Sequence, residues 1–454
     1  MEMTPMLRQY WEVKKQYADC ILFFRLGDFY EMFGDDAKEA SKILNITLTA
    51  RNKGTANEIA MCGIPYHAAE GYTAKLTRAG RKVAICEQMT DPSGKGIVER
   101  EVIRIVTPGT TLDNNVLESK LNNFIASIDF EKGIYGLAYV DVTTGEFKIT
   151  ENSSEQAILD EVNLLSPSEI LIAQSVEGQA FKDLALVQTV AAGGFETPAE
   201  VIAKAMGVAS VNSFGIEDFK IGQRAAANIL NYLKETQKTS LVHLRKIVPY
   251  QLDEAMMLDR ATIRNLELFH NNNNFGAEGS LISVIDKTVT PMGGRLLRQV
   301  LSHPLLNKSE IENRLSAVDE LVQSFEIRES ILQLLKEVSD VERLIGRIGC
   351  NRFSARDFVS LRATLLLLPK FNEQINKTKS LKQLAGLIVE MPKLFNLLEF
   401  SIADEPPALT NAGGMIRMGY NPELDELRSL SATGKDYIAQ MQAREIERTG
   451  ISSL

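Results

Sequence analysis

Residues 21–33 read ILFFRLGDFYEMF, and the way this stretch runs decides what the first part of the chain can be. Taken as one extended segment, it alternates. Leu22, Phe24, Leu26, Tyr30 and Met32 fall on one face, and Phe23, Arg25, Phe29 and Glu31 on the other if the chain stays extended past Gly27. On a helix, residues 29 and 31 would project about 200° apart and could share no target. On a strand they do share one, which sets an aromatic ring beside a carboxylate. From the pattern alone the plainer reading is a core aromatic next to a solvated charge.

Working outward, Thr4-Pro5 reads as an N-cap and first-turn proline opening a helix through MLRQYWEVKKQY. Asp35 is placed to cap a second helix through Leu44, with Ala37, Ala40 and Leu44 at helical spacing. Strands near 46–50 and 82–87 flank a helix within 68–79, and VIRIVT at 102–107 closes a mixed α/β unit over residues 1–111. Gly, Pro and Asn in TPGTTLDNNVLESKLNN (107–123) mark a domain boundary, and a softer one runs through 191–218.

In the middle segment, 112–220, strands at 124–130, 135–143 and 145–151 are joined by turns at Lys132-Gly133 and Thr144-Gly145. A helix near 154–164 and a strand at 169–172 follow, an order that suits a ribonuclease-H-like α/β unit. Asp129 and Asp141 lie on neighbouring strands of that unit, so a metal-dependent nuclease is a rival reading. A fold alone carries no function, however. From 221 to 454 the pattern is helical, with apolar spacing in 223–233, 253–269, 294–301, 311–325, 331–348, 355–368 and 424–446. Ser309-Glu310-Ile311-Glu312 reads as a capping box, and most apolar positions here read as core.

At 454 residues the chain has room for two to four domains. No apolar run approaches the ~18 residues of a membrane span; the stretch at 363–368 is too short and stops at Pro369. The first residues lack a signal-peptide core, which points to a cytoplasmic protein. Cys20, Cys62, Cys86 and Cys350 are too scattered for a zinc or redox motif and read as small buried hydrophobes. The formal charge of −9 argues at first against a nucleic-acid partner. That charge is partitioned, however. Residues 1–111 and 221–454 are each at +1, whereas 112–220 carries −11. A polyanion should avoid only the middle segment.

Six stretches carry a family resemblance: GDFYEMF (27–33), CGIPYHA (62–68), VAICEQ (83–88), VIRIVTPGT (102–110), TVTPMGGRLLRQVLSHPL (288–305) and GYNPELDEL (419–427). In order and spacing they resemble the MutS family of bacterial DNA mismatch repair proteins. The resemblance implies a mismatch-recognition domain at 1–111, a connector at 112–220 and a helical core and lever domain at 221–454. The last would stop where a DNA-gripping clamp begins. It places the family's Phe-x-Glu motif on Phe29 and Glu31, the ring wedging beside a mispaired base from the minor groove and the carboxylate hydrogen-bonding that base. A mispaired step is already poorly stacked, so kinking it costs less than kinking sound duplex. Arg25, Arg51, Lys53, Lys75, Arg78 and Arg81 are candidate phosphate contacts. His67 is read as ordering its loop.

The partners that the resemblance implies are duplex DNA with mispairs or small loops, a second copy of the chain used unequally, and downstream proteins such as MutL. The family's ATP and Mg2+ belong to a C-terminal ATPase domain. No G-x-x-x-x-G-K-[ST] occurs: Gly94-Lys95 and Gly434-Lys435 lack the glycine five positions earlier and the following Ser or Thr. The expectation is therefore an N-terminal portion without its own cofactor, metal site or enzymatic activity. Its exposed apolar faces would favour aggregation. An interaction-only, degenerate homologue is the remaining alternative.

Overall fold

The computed structural model describes residues 4–451 except 56–57, 91–97, 114–116, 177–178, 183, 185–186, 191–195, 239–240 and 408–412. The Gly94-Lys95 and Gly193-Gly194 pairs therefore lie outside the described residues. As the sequence leads one to expect, Thr4 caps helix α1 (Pro5–Gln16), its hydroxyl accepting the Leu7 N–H at 3.4 Å. The first sheet has six strands: β1 (Cys20–Leu26), β2 (Phe29–Phe33), β3 (Thr49–Arg51), β4 (Ile59–Pro65), β5 (Lys82–Gln88) and β6 (Arg100–Val106). Their order is β3-β4-β2-β1-β5-β6.

Residues 21–33 are not one extended run. The chain reverses at Gly27-Asp28, with Gly27 at φ +58°, so β1 and β2 form an antiparallel hairpin. Leu26 faces Phe29 and Phe24 faces Glu31 across it, and directly paired residues share a face. Phe29 and Glu31 therefore stand with Leu22, Phe24 and Leu26. Tyr30 joins Phe23 and Arg25 on the other side. A two-residue turn changes the parity of everything beyond it, which simple alternation cannot register.

Helix α1 covers the Leu22–Phe24–Phe33 side through Leu7 and Tyr10. The opposite side packs Phe23, Tyr30, Met32 and Ile64 against α2 (Gly34–Leu44) and α3 (Ala69–Arg78). Asp35 does not cap α2 but lies within its first turn. Its neighbour Asp36 is the structural carboxylate, accepting the Leu22 N–H at 2.9 Å and pairing with Lys14 at 2.9 Å. Strand β4 escapes sequence patterning because Gly63 and Pro65 interrupt its run.

The second sheet runs β11-β10-β7-β8-β9-β12. Strands β7 (Phe124–Glu131), β8 (Ile134–Asp141) and β9 (Glu146–Asn152) form an antiparallel meander. Strands β10 (Glu169–Ala173) and β11 (Val187–Val190) extend it in parallel beyond β7, the expected ribonuclease-H-like order. A short β12 (Val248–Pro249) is added beside β9. Helix α4 (Glu155–Leu165) covers one face through Ile158 and Val162. A four-residue α5 (Gln179–Lys182) follows, then α6 (Pro198–Met206) and α7 (Lys220–Gln237). Expected at the head of the helical segment, α7 instead lays Ala225, Ile229 and Leu233 on the second face of this sheet, against Ile125, Val140 and Phe147. Buried Glu169 joins the two sheets: it accepts from Thr107 Oγ1 at 2.6 Å, Gly109 N–H at 3.0 Å and the Tyr232 hydroxyl at 3.0 Å.

Helices α8 (Arg260–Asn265), α9 (Leu281–Ile285), α10 (Pro291–Ser302), α11 (Lys308–Gln323), α12 (Phe325–Lys336) and α13 (Val341–Gly349) follow. After them come α14 (Ala355–Ile375), α15 (Lys382–Ala385), α16 (Pro392–Ser401) and α17 (Pro422–Thr449). The run read as one helix over 331–348 is two, because Asp340 caps α13. Asn307, not Ser309, receives the first free N–H groups of α11. Pro369 lies inside α14, which continues to Ile375.

The chain forms two compact units, one of Met1–Ser316 with Asp340–Arg352 and one of Ala317–Ser339 with Phe353–Leu454. In the first, Arg295 of α10 is buried in a fork with Asp340 (2.7 and 2.9 Å) and Glu342 (2.7 Å), and donates to the Ser119 carbonyl. A Cβ on Gly346 of α13 would lie 2.0 Å from the Thr143 carbonyl oxygen, so only glycine lets this helix sit against the β8–β9 turn. In the second unit α14 packs against α12 and α16. The apolar stripe Leu315, Val318 and Val322 of α11 is exposed rather than core. Periodicity identifies an apolar face but not what covers it.

Candidate nucleic-acid interface

Phe29 opens β2 between Leu26 of β1 and Pro65 of β4, yet its ring is 49% exposed. The cause is coverage. Helix α1 seals Leu22, Phe24 and Phe33 but leaves the Gly27 end of the hairpin open. Two residues on, Glu31 faces Gly63 of β4, which has no side chain to screen it. The Arg51 guanidinium, on the same face, pairs with Glu31 at 3.6 Å, too far for a hydrogen bond. Glu31 Oε2 is consequently buried without a hydrogen-bond partner among the described residues. Burial pushes the Glu31 carboxyl up from its ordinary value, and the charge of Arg51 opposes that rise. An exposed ring and an unsatisfied carboxylate oxygen thus share one edge of one face.

The turn that presents Phe29 is braced from behind. Arg25 stacks on Tyr66 at 3.7 Å, pairs with Glu87 at 3.5 Å and donates to the Gly27 carbonyl. Tyr30 donates its hydroxyl to the same Glu87. The Tyr66 N–H closes the turn by donating to the Asp28 carbonyl at 2.9 Å. Neither Tyr66 nor Glu87 stands out in the sequence. The signals available were that each lies in a stretch carrying the family resemblance, Tyr66 in CGIPYHA (62–68) and Glu87 in VAICEQ (83–88). His67 is exposed in the 3-10 turn at 66–68, edge-on to Tyr66.

The six basic candidates do not form one surface. Arg51 and exposed Lys53 belong to the β3 end of the sheet, with Glu31 and Phe29. Arg25 points to the opposite side and is engaged by the brace. Lys75 and Arg78 lie on α3 behind the sheet, where the Lys75 amine sits 5.7 Å from the Tyr72 ring. Arg81, just past α3, pairs with Glu39 of α2 at 2.6 Å.

The rival nuclease pair is not brought together. Asp141 pairs with Phe124 and Asp129 with Gly136, which puts the two carboxylates about 17 Å apart along the strands. Both are already committed. Asp129 is held by Arg224 at 2.9 Å and Ser175 at 2.7 Å. Asp141 accepts from Thr143, Asn122 and the Asn123 N–H. Among the described residues no helix is long and apolar enough to cross a membrane.

A mixed sheet with an exposed aromatic ring at one edge, then a ribonuclease-H-like α/β unit, then a helical region defines a modular α/β-plus-α protein. The chain belongs to the MutS family. MutS domain I matches residues 4–115, MutS domain II residues 123–245 and MutS domain III residues 261–449. The DNA mismatch repair protein MutS of Halothermothrix orenii is 43% identical over 465 residues, covering 100% of this chain and 52% of that protein. Those of Ruminiclostridium cellulolyticum (41% identical, 99% of this chain, 53% of that protein) and Caldanaerobacter subterraneus subsp. tengcongensis (42%, 100% and 54%) are comparably similar. The chain spans about half the length of the curated relatives it matches. The match to domain II extends through α7, in keeping with the packing of that helix on the connector sheet.

Proposed function

We propose that this chain senses mispaired or looped duplex DNA for mismatch repair, with Phe29 as the wedge and Glu31 as the group that meets the displaced base. The observation that carries the reading is the pairing of a half-exposed ring with a carboxylate whose buried oxygen has no hydrogen-bond partner among the described residues. Inserting the ring unstacks a step at a cost of a few kcal/mol, which a mispair has partly met already. The unsatisfied oxygen can accept an N–H from a base edge. Its raised pKa also eases protonation, so the group can donate to a base acceptor instead. Arg51 and Lys53 are the phosphate contacts best placed beside this edge. The connector acts as spacer and docking body, and the helices from 261 onward transmit binding to the rest of the protein.

In the full-length form this reading includes a homodimer, ATP and Mg2+ held in a C-terminal ATPase domain, recruitment of MutL-type partners, and residence in the bacterial cytoplasm on the nucleoid. For the chain itself it assigns DNA binding and no catalytic step. The test compares binding of matched and single-mispair duplexes at low salt. Phe29→Ala should bring the two affinities to within about twofold while weak, salt-sensitive binding persists. A variant that still discriminates as the parent does would overturn the assignment.

A further inference from the structure

A cavity of about 250 Å3 lies behind the first sheet, on the α3 side and away from Phe29. Arg104 lines it from β6, where it pairs with Ile85 and so shares the face of the α2–α3 core. Arg347 of α13 and Arg352, just past that helix, line it from another part of the chain. Glu70, Asp113, Thr73 and Thr111 complete the polar wall. Three guanidiniums drawn from distant segments thus outweigh two carboxylates.

The arrangement is costly as it stands. Arg104 Nε is buried and has no hydrogen-bond partner among the described residues. Burial lowers the Arg104 guanidinium to about 10, and the positive charge of Arg352 adds to the effect. A buried, like-charged and incompletely satisfied cation asks for an anion. Guanidinium forks match the oxygens of phosphate, and convergent forks favour a multivalent ligand over a single carboxylate. The volume exceeds what one phosphate fills and suits two linked ones.

We infer that this cavity is a binding site for a small phosphate-bearing anion of the pyrophosphate or nucleoside-diphosphate class, gripped by Arg104, Arg347 and Arg352. Such a ligand would tie the first sheet to α13. It does not depend on the wedge, because the cavity lies on the opposite side of the sheet.

The test uses the 454-residue chain with sodium pyrophosphate, against sodium chloride at matched ionic strength. Pyrophosphate at ten times its dissociation constant should raise the thermal midpoint by about 2 °C over the chloride control. Titration calorimetry should show about tenfold weaker binding in Arg104→Met and in Arg352→Ala. The second variant removes an exposed side chain, so misfolding cannot explain a loss there. No shift over chloride, or both variants binding as the parent does, would overturn the site. Phe29→Ala should bind pyrophosphate normally, which separates this test from that of the wedge. Unchanged pyrophosphate affinity under saturating duplex supports a free anion. Competition would assign the site to a DNA backbone phosphate and overturn the free-anion assignment.

Discussion

At the scale of single residues, the role proposed for Glu31 pulls against its contribution to stability. Its carboxylate is partly buried, its Oε2 has no hydrogen-bond partner among the described residues, and Arg51 stands 3.6 Å off. With the folded pKa raised above the unfolded one, the folded state holds its proton more tightly. Ionisation therefore costs stability as pH rises through the raised value, and the cost vanishes below the ordinary glutamate range. Glu31→Gln should raise the thermal midpoint at pH 7 by about 1–3 °C, an advantage that fades on acidification. A gap that is absent at pH 7, or that widens in acid, would show that the carboxylate carries no such cost. The i, i+2 pairing of ring and carboxylate was legible in ILFFRLGDFYEMF. The face they occupy was not, because it depends on a turn of only two residues.

At the scale of elements, the β1–β2 hairpin is the presenting device, and its turn rests on backbone chemistry. Gly27 sits at φ +58° with no described residue within 4 Å of where a Cβ would stand. Gly27→Ala should thus cost about 1 kcal/mol from backbone strain alone, and Gly27→Asn less, read by chemical denaturation. Equal costs would mean that packing, not φ, governs the position. Arg25 braces the turn through Tyr66, Glu87 and the Gly27 carbonyl. Arg25→Ala should therefore reduce mispair discrimination about 3- to 10-fold without touching the wedge itself. Unchanged discrimination would mean that the turn holds without it. Most strands and long helices could be read from alternation and 3.6-residue spacing. Strand β4 was hidden by Gly63 and Pro65. The break between α12 and α13 was hidden because Asp340 both caps α13 and answers Arg295, a contact 45 residues away.

Across the whole molecule, charge and junctions divide the labour. The surplus of −11 lies within 112–220, so the salt dependence of duplex binding should come from the first sheet. Arg51→Ala and Lys53→Ala should each reduce the slope of log affinity against log salt by about 1, while neutralising two exposed connector carboxylates leaves it unchanged. The opposite pattern would move the DNA path onto the connector. Arg295 anchors α10 to α13 and to the Ser119 carbonyl, and Arg295→Met should cost about 3 kcal/mol by leaving Asp340 uncompensated. A loss below about 1 kcal/mol in denaturant unfolding would show the fork to be incidental. The domain order and the three-part charge division were visible in the sequence, whereas these junctions, being long-range, were not. The brace behind Gly27 has one more consequence. If Phe29 inserts as proposed, a ring on a fixed base cannot adapt to what it meets, and nearly all the yielding falls to the duplex. On that reading the protein would act as a stiffness gauge, ranking lesions by how readily their own stacks part rather than by which bases are wrong.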